Sequence, residues 1–72
     1  MVIYNAFLSF ESEGEGFPDL IEVEAETKEQ AREVLAEQFR QNGFAAELSD
    51  TSEEVYFSSG GKEIVYYGFD EN

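Results

Sequence analysis

Residues 21–44 read IEVEAETKEQAREVLAEQFRQNGF, and two hydrophobic periods meet within this stretch. Its first residues alternate apolar with acidic side chains, which is the period of a strand with one buried face. The apolar residues that follow recur every three or four positions, as they do along one side of a helix. The stretch therefore predicts a strand whose outer face carries Glu22, Glu24 and Glu26, followed directly by an amphipathic helix.

Both ends of this helix are marked in the sequence. Thr27 followed by Gln30 forms a capping-box signature, in which each side chain satisfies a free backbone amide at the helix start. Asn42 and Gly43 end the helix, because glycine readily adopts the left-handed conformation of a C-terminal cap. Phe44 is then placed to pack back on the last turn.

Strands are predicted on both sides of this unit. Residues 2–10 alternate, and one buried face would consist of Val2, Tyr4, Ala6, Leu8 and Phe10. After the helix, residues 45–48 predict a short strand. Residues 55–57 and 64–67 predict a hairpin whose turn is the glycine-containing segment 58–62.

The order ββα followed by two or three strands predicts an α+β fold. We expect one antiparallel-rich sheet of four to five strands with a single helix packed on one face. A β-grasp arrangement, in which the first and last strands pair in parallel, fits the same periodicity and is an alternative. Residues 1–72 are expected to form one small domain with a frayed tail at residues 70–72.

The aromatic residues divide into two predicted sets. Tyr4, Phe10, Phe39 and Phe57 are predicted to lie in the core. Phe7, Tyr56 and Tyr66 are predicted to lie on the opposite sheet face, where an apolar patch rimmed by acidic residues suits a protein interface or a homodimer. A one-residue change of strand phase would exchange members of these sets.

The charge is strongly unbalanced. The chain has 17 Asp or Glu residues against four Lys or Arg and no His, which gives a net charge of -13. Net charge bears on solubility, association and partners rather than on fold. A domain of this size buries only roughly 60% of its unfolded surface, so its stability is marginal. Repulsion among its carboxylates lowers that stability further.

This composition excludes several classes of function. Affinity for phosphate comes mostly from Lys and Arg, so direct nucleic-acid binding is not expected, and anionic lipids would repel the surface. Without Cys or His, disulfides, zinc sites and the usual nucleophiles and general bases are missing. We therefore predict no enzymatic activity and no cofactor, and the N-terminus predicts a cytoplasmic protein rather than a secreted one.

A weak calcium-loop pattern precedes the second strand. Its members are Glu11, Glu13, Glu15, Gly16, Asp19 and Glu22. The EF-hand pattern has Asp or Asn where this chain has Glu11, Glu13 and Glu15, and its flanking segments are helices rather than strands. We therefore predict no specific metal site here.

The carboxylates form regular groups. Glu22, Glu24 and Glu26 are spaced roughly 6.8 Å apart along a strand face, given about 3.4 Å per residue. A second row lies along the helix and a third group lies in the loop before Gly16; these residues are Glu29, Glu33, Glu37, Glu11, Glu13 and Glu15. Such rows can imitate a phosphate backbone if strand row and helix row share one side of the molecule. If they lie on opposite sides, a solvated polar surface is favoured.

In size, charge, strand and helix order and these carboxylate rows, the chain resembles a class of small acidic inhibitors. These are the anti-CRISPR and anti-restriction proteins of the DNA-mimic type, which phages and plasmids use against host nucleases. The resemblance implies a non-enzymatic inhibitor in the host cytoplasm that binds the basic nucleic-acid-binding surface of a nuclease or CRISPR effector. The three carboxylate groups, with Tyr56 and Tyr66, are the predicted partner-binding residues.

Two other functions fit the same composition. The acidity also suits a halophile-type structural protein, in which charge serves solvation. Alternatively, an ordinary interaction module would bind its partner, or a second copy of itself, through the aromatic sheet face.

Overall fold

The structure, a computed structural model, describes residues 1–10, 16–49 and 53–72. Its elements in chain order are β1 (Val2–Leu8), β2 (Leu20–Ala25), α1 (Lys28–Gln41), β3 (Glu47–Leu48), β4 (Val55–Ser59) and β5 (Lys62–Glu71). The strands form one sheet in the order β2-β1-β5-β4-β3, and all neighbours are antiparallel. The predicted α+β fold with one helix packed on the sheet is confirmed. The β-grasp alternative is wrong, because β1 and β5 are antiparallel.

Both ends of α1 have the caps that the sequence predicts. Thr27 Oγ1 accepts a hydrogen bond from the Gln30 amide at 3.1 Å, and Gln30 Oε1 accepts one from the Glu26 amide at 2.6 Å. At the other end, the amides of Gly43 and Phe44 both donate at 3.0 Å to carbonyls of the last turn. This is the Schellman pattern, in which the left-handed glycine returns the chain onto the helix.

The core lies between α1 and one face of the sheet. The helix contributes Ala31, Leu35, Ala36 and Phe39. Five aromatic rings pack at one end of this core with centroid separations from 4.4 to 6.5 Å; they are Phe17, Phe39, Phe44, Phe57 and Tyr66. Among the described residues no polar or charged residue is buried in this layer.

Tyr66 lies in this core, so its predicted place on the opposite sheet face is wrong. Its side chain is 0% exposed, and its hydroxyl donates to the Pro18 carbonyl at 2.6 Å. Residues 64–67 are all apolar, so hydrophobicity alone does not set the phase of this strand. The phase of this strand is set by the two-residue glycine turn of the hairpin, because that turn pairs Val55 with Tyr66 on the helix side of the sheet.

Phe10 is the second misplaced aromatic residue. It was predicted to lie in the core, but 94% of it is exposed. The strand β1 ends at Leu8, and Phe10 lies in a turn beyond it. Side chains alternate between the two faces of a sheet only where the strand is paired. The alternation therefore does not require Phe10, which lies beyond the strand, to be buried.

A β-bulge in β5 decides which side chains of its second half enter the core. Asn5 pairs with Asp70 and Ala6 with Gly68, so Phe69 is an extra residue opposite β1. Gly68 and Phe69 have φ angles of 94° and 52°. The insertion shifts the phase by one residue, so that Phe69 is 0% exposed and Asp70 is exposed. With regular pairing, Asp70 would face the core instead.

The C-terminal residues are paired, which differs from the predicted frayed tail. The strand β5 extends to Glu71, and the Asn72 amide donates to the Ile3 carbonyl at 2.8 Å. Asn72 Nδ2 also donates to Glu22 Oε2 at 2.7 Å. Because β5 is the central strand, β1 remains beside it and supplies partners for these last residues.

Replacing Gly68 by Ala tests the bulge. A Cβ at this position would lie 2.9 Å from a ring carbon of Phe7, and the φ of 94° is one that residues with a side chain rarely adopt. Gly43→Ala is a matched control, because its φ is 93° and nothing lies within 4 Å of the added atom. We expect Gly43→Ala to lower the free energy of unfolding by about 1 kcal/mol. Gly68→Ala should lower it by about 1–3 kcal/mol more, because of overpacking.

Urea denaturation of both variants, alone and combined with Phe7→Ala, gives the comparison. In the Phe7→Ala background the additional loss at Gly68 should disappear, because the ring that the new methyl meets has been removed. Equal losses for the two glycine variants in the original background would contradict the close approach between Gly68 and Phe7.

The buried Tyr66 hydroxyl predicts a loss of stability at high pH. Burial first, and then the Asp19 carboxylate, raises the pKa of Tyr66 to about 12 from 10.0. The folded state therefore holds this proton more tightly than the unfolded state. The resulting stabilisation is complete below pH 10 and is lost as the pH rises from about 10 through 12.

Melting temperatures measured from pH 9 to pH 12 check this prediction. Tyr66→Phe should be less stable at neutral pH by about 1–2 kcal/mol, since the Pro18 carbonyl loses its donor, and it should lose part of the decline above pH 10. The exposed Tyr67→Phe is the control and should keep the full decline. A decline of the same size in Tyr66→Phe and the original protein would contradict the prediction.

Candidate protein-binding surface

One face of the sheet is not covered by α1, and we call it the open face. Its side chains alternate along each strand with those that enter the core. The apolar centre of the open face consists of Phe7, Leu20, Tyr56, Val65 and Tyr67, and Ile3 lies on the same face beyond Asn5. The acidic rim of the open face consists of Glu22, Glu24, Asp70, Glu47 and Glu63. Both sets belong to the same surface by strand register.

The apolar centre is continuous across the strands. Phe7 of β1 lies opposite Leu20 of β2 and also opposite Tyr67 of β5. The Phe7 and Tyr67 rings are 6.2 Å apart between centroids and tilted by 47°. Val65 and Tyr56 form the next cross-strand pair, between β5 and β4. Since Leu20 and Tyr67 remain 47% and 44% exposed, this row of side chains is open to a partner.

The acidic rim flanks this centre at two ends. At one end Asn5 lies between Glu22 of β2 and Asp70 of β5, and Glu24 lies opposite Ile3. At the other end Glu47 of the edge strand β3 lies opposite Tyr56. Glu63 completes this end beside the hairpin turn and lies opposite Ser58. The apolar centre is therefore bordered by carboxylates on both sides.

The basic residues all lie elsewhere. Lys28, Arg32 and Arg40 are on α1. Lys62 is on β5, on the same face of the strand as the buried Ile64 and Tyr66. Lys28 and Arg40 each approach a helix-side carboxylate, with Nζ 3.6 Å from Glu53 and Nη1 3.6 Å from Glu37. The chain has only four Lys or Arg residues, so the open face carries no positive side chain of its own. The positive charge of the protein is therefore confined to the helix side, whereas carboxylates lie on both sides.

The predicted strand row and helix row do not share a side. Glu22 and Glu24 lie on the open face, whereas Glu29, Glu33 and Glu37 are exposed on α1, which packs on the other face. Glu33 and Glu37 border a shallow groove between α1 and the edge strand β3. The condition stated for a phosphate mimic built from both rows is therefore not met, and the helix row has the placement of a solvated surface.

The other predicted partner-binding residues are dispersed. Glu26 is exposed in the turn after β2, where its amide serves the helix cap, so the strand row has two members within the sheet. Tyr56 lies on the open face, whereas Tyr66 is buried beneath it. Glu11, Glu13 and Glu15 lie outside the described residues.

Tyr67, which sequence reasoning did not select, occupies the place that was predicted for Tyr66. The side of the sheet on which Tyr67 lies could have been predicted from Gly60 and Gly61, because a two-residue hairpin loop fixes the register of the strands that it joins. The turn pairs Ser59 with Lys62, and counting from this pair places Tyr66 opposite Val55 and leaves Tyr67 on the other face. Asp70 had no such signal, because its side depends on the bulge.

The described residues contain neither a candidate metal cluster nor a candidate membrane-spanning helix. No group of three or more His, Cys, Asp or Glu side chains there is arranged to hold a metal ion. In the same residues, no helix has both the length and the apolar character needed to cross a bilayer. Of the weak calcium-loop pattern, the described members are Gly16, Asp19 and Glu22.

Comparison with protein-family models, curated proteins and solved structures gives no match for this chain. An acidic rim around an exposed aromatic centre, with no cation among them, is suited to a partner that presents both positive charge and apolar area.

Replacing Glu33 by Lys tests the solvated character of the helix row. Glu33 has a like charge four residues away on either side, at Glu29 and Glu37, and such pairs destabilise a helix. Glu33→Lys converts both repulsions into attractions and should raise the free energy of unfolding by about 1 kcal/mol. Thermal denaturation at low salt measures the gain, and Glu33→Gln should give about half of it. A loss of stability in Glu33→Lys would indicate that Glu33 has a structural role.

Proposed function

We propose that the protein is a non-enzymatic acidic inhibitor that uses its open face to cover a basic surface of a partner protein. In its most specific form, the proposal is that this surface is the nucleic-acid-binding surface of a nuclease or CRISPR effector. The observation that supports the proposal is the placement of positive charge: five rim carboxylates border the apolar centre, and all four basic residues lie on the helix side.

Electrostatics explains how such a face would act. Carboxylates make charge-assisted hydrogen bonds with Lys and Arg, which are also the groups that bind phosphate. A protein of net charge -13 would be drawn to a basic groove over distances near the Debye length, about 8 Å at physiological salt. Occupation of the groove then excludes the nucleic acid, since both ligands need the same cations.

The proposal differs from imitation of a phosphate backbone by two carboxylate rows. Only Glu22 and Glu24 of those rows lie on the open face, and the remaining rim residues there belong to other strands. The apolar centre has no counterpart in a phosphate backbone. It would contribute shape-dependent contacts, so affinity should depend on the partner's shape as well as on its charge.

The halophile-type alternative is supported by the helix row alone, which faces solvent away from the open face. A domain whose acidity served solvation should unfold as salt is removed. A binding protein should stay folded in low salt, where its attraction for a basic partner is strongest. Circular dichroism between 10 mM and 2 M salt distinguishes the two functions.

Displacement of DNA tests the proposed function. A fluorescent duplex is bound to each member of a panel of purified restriction endonucleases and CRISPR effectors, and the acidic protein is titrated into each complex while anisotropy is recorded. We expect at least one effector to release its duplex near equimolar inhibitor, with potency falling steeply as salt rises.

Two matched triple variants locate the effect. Glu22→Gln/Glu24→Gln/Asp70→Asn removes three charges from the open face, and Glu29→Gln/Glu33→Gln/Glu37→Gln removes three from the helix. The first should weaken displacement about tenfold, at roughly 0.5 kcal/mol for each lost contact, and the second much less. Equal weakening by both variants would contradict the assignment to the open face, and no release from any effector would contradict the function.

A further inference from the structure

The described residues include four exposed large apolar side chains, Met1, Phe10, Leu20 and Tyr67, and two of them lie beside Phe7. Leu20 and Tyr67, which flank it in the register, are about half exposed. Phe10, which is 94% exposed, borders an open pocket together with Tyr67. Phe10 and Tyr67 are therefore the most exposed aromatic rings of the described residues.

Tyr67 lies within one strand repeat of a rim carboxylate, because Tyr67 pairs with Phe7 and Asp70 pairs with Asn5. Phe7 and Asn5 are on the same face of β1, about 7 Å apart along the strand, and Asn5 lies between Glu22 and Asp70. On β4, Tyr56 lies directly opposite Glu47. A cationic group entering at either position would meet an aromatic ring and a carboxylate within one strand repeat.

This juxtaposition distinguishes between the two basic side chains. An ammonium group is compact and strongly hydrated, and it needs only the carboxylate. A guanidinium group is planar and weakly hydrated, so it can stack on an aromatic ring while its N–H groups form a paired hydrogen bond with a carboxylate. By strand register the open face places rings and carboxylates at opposite or neighbouring positions, roughly 5–7 Å apart, which one arginine side chain can reach across.

We infer that the open face recognises an arginine-rich partner surface in preference to a lysine-rich one. Guanidinium groups stack on Tyr67 of β5 and on Tyr56 of the neighbouring strand β4, and they pair with the acidic rim beside each ring, at Asp70 and Glu47. The inference rests on the proposed function and deepens it, because it states which basic chemistry the partner presents.

A second copy of the chain is the competing occupant, and the charges oppose it. Each copy carries a net charge of -13, and pairing two open faces would bring two acidic rims together with no basic side chain on either face. Like charges in a desolvated interface are destabilising, whereas arginine neutralises the rim as it covers the apolar centre. Charge complementarity therefore selects a cationic partner.

Binding of two peptides of equal length and charge tests the preference. Fluorescein-labelled nona-arginine and nona-lysine are titrated with the protein at 150 mM salt. We expect the arginine peptide to bind about fivefold more tightly or better, as two exposed cation–π contacts would provide.

Three variants assign this ratio to the open face. Tyr67→Leu keeps the apolar bulk and removes the ring, so the ratio should fall to about half or less, with the lysine peptide little affected. Tyr67→Phe keeps the ring face and should preserve the ratio. The helix triple Glu29→Gln/Glu33→Gln/Glu37→Gln should weaken both peptides alike and leave the ratio unchanged, because it alters only long-range attraction.

Each contrary outcome has a separate meaning. Equal affinity for the two peptides would overturn the arginine preference and leave the proposed function standing. Absence of binding by either peptide would overturn both. An unchanged ratio in Tyr67→Leu would overturn the role of the ring. Sedimentation of the free protein as a dimer that Tyr67→Leu dissociates would show that a second copy occupies the face, which would also overturn the inference.

Discussion

A single helix covers one face of a five-stranded sheet, and the surface properties of the protein depend on this constraint. With 14 residues, α1 is about 21 Å long, and it packs against β2, β3, β4 and β5 on one face of the sheet. Apolar side chains that alternate to the other side must stay at the surface. An acidic rim opposes the association that exposed apolar patches otherwise promote. A partner that covered this face, as proposed, would have to carry positive charge.

The bulge in β5 links the core to this surface. Phe69 is buried because one residue is inserted opposite β1, and the same insertion turns Asp70 outward. A left-handed conformation at a non-glycine residue costs about 1–3 kcal/mol, and burial of the phenyl ring offsets a cost of this size. Gly68 is needed at the first position, where a Cβ would meet the Phe7 ring of the open face. Core packing, ring placement and one rim carboxylate therefore depend on the same two residues.

The parts of the fold with local signals could be predicted from the sequence. The caps at Thr27 and Gly43 involve side chains and amides within a few residues, and the hairpin was marked by its glycine turn. Phe10 and Tyr66 were misplaced because strand ends and strand phase are set by pairing with distant residues. The bulge could not be predicted at all, since nothing local requires Phe69 to be left-handed. For the same reason the sequence identified the carboxylate rows but not their sides, which depend on how helix and sheet pack.

The distribution of positive charge argues more strongly for binding than the total negative charge does. A surface selected only for solvation has no reason to keep its few cations on one side. Here the helix row has Arg40 within reach of Glu37 and further cations on the same element, so its field is partly neutralised within α1. The rim around the apolar centre has no cation on its own face, although opposite charges at cross-strand positions would stabilise the sheet. The open face thus lacks the ion pairs that stabilise the helix side, and a cationic partner would supply the missing positive charge.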